Sequence, residues 1–290
     1  MLAEKLVDES STPDRPPRRS GRPIPRPFVK WVGGKTQLIK RYGSLVPKSW
    51  NRYYEPFIGG GALFFHFKPQ QAVLNDVNAE LANAYTTVRD DVDALIKVLR
   101  THVYDKDHYY AVREQDPDDL PPVHRAARTI YLNRTGFNGL YRVNKKGLFN
   151  VPFGRYTNPT ICDEPNLRAC SAQLAGTEFR STDFERACRD ARKGDFVYLD
   201  PPYAPVSPTS DFTSYVAGGF GFEEQARLRD MLVKLDRRGA KFMLSNSDAQ
   251  GLRKLYERAG WDVIRVRAGR AINSKTSRRG KVYELVVRNY

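Results

Sequence analysis

The 290-residue chain is long enough to bury a substantial core, as one large domain or two small ones. Its 48 Lys and Arg against 33 Asp and Glu give a formal net charge of +15, a surplus that favours a polyanionic partner: DNA, RNA or an anionic membrane surface. No stretch approaches the ~20 apolar residues of a spanning helix and no apolar signal region opens the chain, so a cytoplasmic protein is expected, neither membrane-embedded nor secreted.

Cys162, Cys170 and Cys188 are too few and too widely spaced for a disulfide framework or a zinc knuckle. Of His66, His102, His108 and His124, only His102 and His108 have even a loose ligand spacing, and that pair is expected on a solvated surface. No metal site is expected.

Residues 1–26 are rich in Pro, Arg and Ser and lack a hydrophobic period, which predicts a disordered basic arm, either a weak phosphate binder or an inert extension. Order is expected from Phe28. The Gly33-Gly34-Lys35-Thr36 run invites a phosphate-loop reading, but the loop needs a glycine where Val29 stands, so a nucleoside-triphosphatase is rejected. Backbone N–H groups at Gly33 and Gly34 remain able to cradle a ligand carboxylate.

Tyr53 to Phe65 reads as a strand, a glycine turn at Gly59-Gly60-Gly61 and a helix start, with glycines where a backbone must approach a ligand. Val73 to Asp76 reads as a second strand ending in an acid, the position that holds a ribose hydroxyl in nucleotide folds. In series, the two features suit an adenosine-containing cofactor. From Ala79 to about Arg128 the pattern is helical and charged, punctuated by Pro117, Pro121 and Pro122, and predicts a small helical insertion. Tyr131 to Tyr156 follows with tight turns, aromatic residues and basic tips, which predicts a hairpin-like element. It suits either a solvated basic loop or contact with base edges, and the interleaved aromatics favour the second.

Glu178 to Phe184 reads as a further strand end with an acid and an aromatic, followed by a helix over 185–192. Asp195 to Tyr203 is a short apolar run that stops at Asp200-Pro201-Pro202-Tyr203, a buried strand halted by two prolines. Asp200 and the Pro201 carbonyl can accept hydrogen bonds from an amino group, and Tyr203 offers a ring for a base to stack on. The alternative is a plain strand end with a packed tyrosine. A Ser/Thr/Gly loop between Pro205 and Phe222 has the length of a lid, and a helix is expected around 223–237. Phe242 to Asn246 is a core strand, and 262–267 and 281–287 form an antiparallel closing pair around a basic loop containing Lys275 and Arg278.

Taken in order, these stretches resemble the Dam family of DNA adenine-N6 methyltransferases. The resemblance runs from about Phe28 to the C-terminus and rests on Lys-Trp-Val-Gly-Gly-Lys at 30–35, Glu-Pro-Phe-Ile-Gly-Gly-Gly at 55–61 and Asn-Asp at 75–76. It continues with Asn-Arg-Thr-Gly-Phe-Asn-Gly-Leu-Tyr-Arg-Val-Asn at 133–144, Asn-Val-Pro-Phe-Gly-Arg-Tyr at 150–156 and Asp-Pro-Pro-Tyr-Ala-Pro at 200–205. It implies an α/β protein, a Rossmann-like S-adenosylmethionine-dependent core over 27–80 and 175–290, interrupted by a mainly helical target-recognition domain over 81–174 that carries a β-hairpin. S-adenosylhomocysteine would be the product. Trp31, Gly33, Gly34, Lys35, Glu55, Phe57, Gly59, Gly61, Asp76, Asp183, Phe184 and Asp200 would serve the cofactor, and Asp200, Pro201, Pro202 and Tyr203 the chemistry. Lys30, Arg134, Asn138, Leu140, Arg142, Asn144, Pro152, Arg155 and Tyr156, with Lys275 and Arg278 on phosphate, would meet double-stranded DNA at GATC.

The implied chemistry needs no general base. Hydrogen bonds to Asp200 and the Pro201 carbonyl make a delocalised amine more tetrahedral, and a sulfonium methyl needs chiefly alignment. Cytosine N4 is a competing target, although Asp instead of Ser at 200 favours adenine; RNA and a catalytically silent regulator stay open. A monomer is expected, acting alone or beside a restriction endonuclease.

Overall fold

A computed structural model describes residues 23–203, 220–257, 259–268 and 282–290. Most of the expected basic arm, the expected lid up to residue 219 and the loop with Lys275 and Arg278 lie outside the described residues.

Seven strands form one sheet: β1 (Tyr53–Glu55), β2 (Ala72–Asn75), β3 (Glu178–Arg180), β4 (Phe196–Leu199), β5 (Lys241–Ser247), β6 (Asp262–Ala268) and β7 (Val282–Arg288). Their order is β3-β2-β1-β4-β5-β7-β6, and β7 runs antiparallel to β5 and β6 while the other pairs are parallel. Strand order reverses between β1 and β4. The carboxyl ends of these two strands, after Glu55 and Leu199, therefore flank the crevice where open α/β sheets take ligands. The five strands expected before residue 250 and the antiparallel closing pair are present.

The period-two alternation of β4 divides its side chains between two cores. Phe196 and Tyr198 join Tyr53, Leu74, Met243 and Val286 on one face. Val197 and Leu199 join Tyr54, Val73, Leu244 and Leu285 on the other. The first face is covered by α1 (Ile39–Gly43), α2 (Ala62–Phe67) and α3 (Ala79–Asp90); the second by α9 (Phe222–Arg237) and α10 (Gln250–Glu257), with the one-turn α8 (Phe184–Ala187) beside them. Helix α9 turns Leu228, Met231, Leu232 and Leu235 inward at helical spacing, each stabilising by roughly 1.5–3 kcal/mol when buried.

Between β2 and β3 the chain forms α3, α4 (Val92–Leu99), α5 (Lys106–Glu114), α6 (Pro122–Thr135) and α7 (Glu164–Leu174). Asn78, Asp91 and Asp105 cap the first three of these with side-chain oxygens. The first core runs on without a break into Leu95, Ile96, Leu99, Ala126 and Ile130. The expected domain boundary at 80/81 thus falls inside α3, which packs on the sheet. A separate small cluster of Tyr109, Val112, Tyr131, Leu132, Phe149 and Val151 supports the segment after α6.

Four local readings differ from the structure. The helix expected over 185–192 stops at Ala187. The hairpin-like segment makes two isolated antiparallel bridges, Gly136 with Phe153 and Val143 with Phe149, in place of a strand ladder. Arg26, the last residue of the expected arm, is fastened by its backbone to Asn166 and by its guanidinium to Asp163 at 2.6 Å. His102 and His108 are half-buried, not solvated: their Nδ1 and Nε2 atoms lie 3.0 Å apart and His102 stacks on Tyr131. Burial, then His108 and His124, push His102 down to about 4. Among the described residues no helix is long and apolar enough to cross a membrane, and no group of three or more His, Cys, Asp and Glu could hold a metal ion.

Candidate active site

Asp200 follows β4 directly, where Pro201 forbids helix and fixes the chain's exit. Its Oδ2 lies 2.8 Å from the Nζ of Lys35, a lysine only 4% exposed. Its Oδ1 is buried with no hydrogen-bond partner, the one such carboxylate oxygen among the described residues. Burial raises the Asp200 carboxyl above the ordinary range, and the neighbouring ammonium opposes that rise. Lys35 also donates to Gly33 O at 2.9 Å and sits 4.7 Å from the centre of the Tyr203 ring. It reaches this position because Gly33, at φ +83°, turns the chain and Gly34 N–H closes the turn onto Trp31 O. Of the two glycine amides expected to cradle a ligand, Gly34's is thus engaged within the protein.

After β1 the glycine turn approaches Trp31 so closely that a Cβ on Gly59 would lie 2.7 Å from Trp31 Cδ1. Gly61, at φ +67°, ends the turn as the residue before α2. Asp76 holds the turn from β2: its carboxylate accepts Gly59 N–H at 3.1 Å and Asn78 N–H at 3.0 Å. Burial raises its pKa. Glu55 is buried under this turn and accepts from Tyr53 Oη at 2.7 Å; burial pushes its carboxyl up to about 8. Phe57 meets Phe184 and Phe220 at centroid distances of 5.5 and 5.6 Å. Asp183, on the rim of this aromatic cluster, caps α8 and pairs with Arg227 at 3.2 Å. Expected cofactor residues from five separate stretches therefore meet around one sheet end.

A second group assembles around Lys30. Asn133, buried on α6, accepts Lys30 N–H at 2.7 Å and donates to the carbonyls of Lys30 and Gly139. The Lys30 stem packs on Gly139, and its Nζ reaches Tyr156 Oη at 3.2 Å. Asn138 adopts φ +55° on the exposed turn beside it. Arg142 is exposed but held by Asn150, with Nε 2.7 Å from Oδ1. Pro152 and Arg155 are exposed and Leu140 half-buried. Two further expected DNA residues have partners within the chain: exposed Asn144 accepts Lys146 and Leu148 N–H on Oδ1 to build the 144–148 turn, and Arg134 is half-buried with its guanidinium 4.0 Å from Asp163.

Sequence reasoning missed four residues here. Glu284 on β7 accepts from Tyr42 Oη at 2.9 Å and Tyr203 Oη at 3.0 Å, and Ser245 Oγ lies 2.8 Å from both hydroxyls. Gln225, fully buried on α9, donates to Pro202 O at 3.4 Å. The one signal available was polar residues inside apolar strand and helix patterns, at Ser245 and Glu284 above all.

Comparison with known proteins matches residues 31–272 to the model of the D12 class N6 adenine-specific DNA methyltransferases. The chain is 46% identical over 273 residues to the type II methyltransferase M1.LlaDCHI of Lactococcus lactis subsp. cremoris, covering 91% of this chain and 95% of the relative. It is 42% identical over 288 residues to the type II methyltransferase M.MjaIII of Methanocaldococcus jannaschii, covering 91% and 99%. It is 35% identical over 265 residues to the DNA adenine methylase of Escherichia coli K12, covering 90% and 94%.

Proposed function

This chain belongs to the D12 class of N6 adenine-specific DNA methyltransferases, and on that premise we propose that it carries the methyl group of S-adenosylmethionine to N6 of an adenine flipped out of duplex DNA, within GATC. The observation that carries this reading is the state of Asp200: one oxygen on Lys35, the other buried without a donor, beside a Tyr203 ring that is 36% exposed. An unpaired buried acceptor is costly and calls for a reason in function. A base amino group supplies the missing N–H, and the Pro201 carbonyl can take the second. Both bonds draw the nitrogen lone pair out of the ring and stabilise its developing positive charge. Tyr203 stacks on the flipped base.

The donor set fits the cofactor. Phe57 and Phe184 give an apolar platform with Asp183 at its rim, and Asp76 keeps carboxylate lone pairs for ribose hydroxyls. Trp31, Gly33, Gly34, Lys35, Glu55, Gly59 and Gly61 surround the same sheet end. When bound, the sulfonium supplies an already activated methyl group, and the chain's own task is alignment. Residues 81–174 act as the recognition part: Asn138, Leu140, Arg142, Pro152, Arg155 and Tyr156, with Lys30 from outside it, meet the target bases. The type II names of two relatives support a role beside a restriction endonuclease.

The test incubates the protein with radiolabelled S-adenosylmethionine and unmethylated duplexes containing GATC or a scrambled site, followed by nucleoside analysis. N6-methyladenine in the GATC duplex alone is the expected outcome. Label in another sequence context would discard the GATC assignment, and label on cytosine would discard the target base.

A further inference from the structure

Tyr203 belongs to the catalytic motif, yet its hydroxyl is held by a strand far from that motif. Strand β7 lies antiparallel beside β5 with Glu284 opposite Ser247 and Val286 opposite Ser245, so Glu284 and Ser245 share one face of the sheet. There Tyr42, Tyr203 and Ser245 converge on Glu284 Oε2 at 2.9, 3.0 and 3.4 Å. Each phenol has a single proton, and both directed bonds run from the tyrosines to the carboxylate. Ser245 Oγ lies 2.8 Å from each phenol oxygen and has one proton, which it can give to one phenol oxygen or to Glu284. Tyr42 is fully buried, so this end of the network is fixed in the core. Tyr203 is the end that faces the site: the residue is 36% exposed, its ring lies 4.7 Å from Lys35 Nζ, and its hydroxyl ties it to the sheet.

We propose that Glu284 is a positioning residue for methyl transfer, anchoring the Tyr203 ring through its hydroxyl so that the ring presents a fixed face to the target base. This rests on the adenine reading above. A charge-assisted hydrogen bond is stronger than a neutral one, which suits a carboxylate to the task of holding the ring by its hydroxyl. The same oxygen lies 4.0 Å from Lys35 Nζ, so the anchor also borders the Lys35–Asp200 pair. A role through Tyr203 and a role through Lys35 make different predictions.

The experiment is a double-mutant cycle with the full chain, using Glu284→Gln, Tyr203→Phe and the pair, with kcat, both KM values and the fluorescence of a duplex carrying 2-aminopurine at the target position. Tyr203→Phe keeps the stacking ring and removes only the hydroxyl. Glu284→Gln should lower kcat about ten-fold, the loss of roughly one charged hydrogen bond, with KM for S-adenosylmethionine unchanged. It should also alter the 2-aminopurine signal of the bound duplex, and adding it to Tyr203→Phe should cost nothing further. Additive losses in kcat would overturn the proposal and assign Glu284 to Lys35 or to the core. So would a Glu284→Gln variant with unchanged kcat and 2-aminopurine signal. A melting-temperature drop common to Glu284→Gln and Tyr42→Phe with no kcat change in either would likewise leave only a structural role. A wild-type protein that forms no N6-methyladenine would instead overturn the adenine reading itself.

Discussion

Lys35 Nζ stands 2.8 Å from Asp200 Oδ2, joining the segment before β1 to the end of the central strand. The same short segment places Lys30 on Tyr156 and Trp31 against Gly59. Residues 30–35 therefore touch, in order, the expected base-reading surface, the glycine turn and the Asp200 carboxylate proposed for the chemistry. A shift in this segment would be felt at all three, and this makes Lys35 the first residue to perturb.

Lys35→Met should move the acidic limb of the kcat–pH profile upward. Burial raises the Asp200 carboxyl and Lys35 opposes that rise, so loss of the ammonium lets the pKa climb further. The ionised form would then appear at higher pH, and activity with it. Removing one partner of a buried pair also costs roughly 3–5 kcal/mol of stability. Rate profiles between pH 5 and 9, alongside urea denaturation, check both; an unshifted limb would mean that Lys35 does not control Asp200.

Glu55 gives the chain a stability that depends on pH. Its folded-state pKa is raised from an ordinary 4.5 to about 8 by burial. A raised folded value means the folded state holds the proton more tightly, so this stability is complete below pH 4.5 and is lost as pH rises through 8. Glu55→Gln keeps an acceptor for Tyr53 Oη and cannot ionise. The variant should match the wild type at pH 5 and surpass it at pH 8.5 in urea midpoint. Equal differences at both pH values would place the Glu55 titration elsewhere.

The strands around these groups could be read from the sequence because the apolar runs Val73–Leu74, Phe196–Leu199 and Phe242–Leu244 end abruptly in polar residues, Asp76 and Asp200 among them, and a buried parallel strand leaves that pattern. The acids at their ends could be read for the same reason. What could not be read were contacts made by tertiary placement alone. Glu284 looks like any polar residue in an edge-facing strand until β7 is inserted between β5 and β6. His102 and His108 looked solvated because their partner, Tyr131, lies on α6, well along the chain from both. Asn144 matched a base-reading pattern, but an asparagine two residues before a backbone N–H serves a turn equally well, and here its oxygen does so.

Gly59→Ala should weaken both fold and cofactor binding. The residue sits at φ +48°, where an L side chain is strained, and its Cβ would lie 2.7 Å from the Trp31 ring. The strain costs roughly 1–3 kcal/mol, and relief requires Trp31 to move. A melting curve and titration with S-adenosylmethionine should show loss in both. A fall in melting temperature with unchanged affinity would separate Trp31 from the cofactor.

Arg142→Ala tests the recognition surface, and here the structure sharpens the expectation. The guanidinium is held by two contacts to Asn150, Nε to the side-chain oxygen at 2.7 Å and a terminal nitrogen to the backbone oxygen at 3.1 Å. An exposed arginine fixed in this way loses less freedom on meeting a base, which favours directed contact over loose attraction to phosphate. Arg142→Ala should therefore cost about 1–3 kcal/mol at a single base pair of the site and relax discrimination there. Asn150→Ala should reproduce part of that loss by freeing the guanidinium. Salt dependence separates the alternatives: a phosphate contact would weaken binding on all sequences alike and reduce the slope of log K against log salt by roughly one. Turnover on duplexes substituted one base pair at a time, at two salt concentrations, measures both quantities in one series.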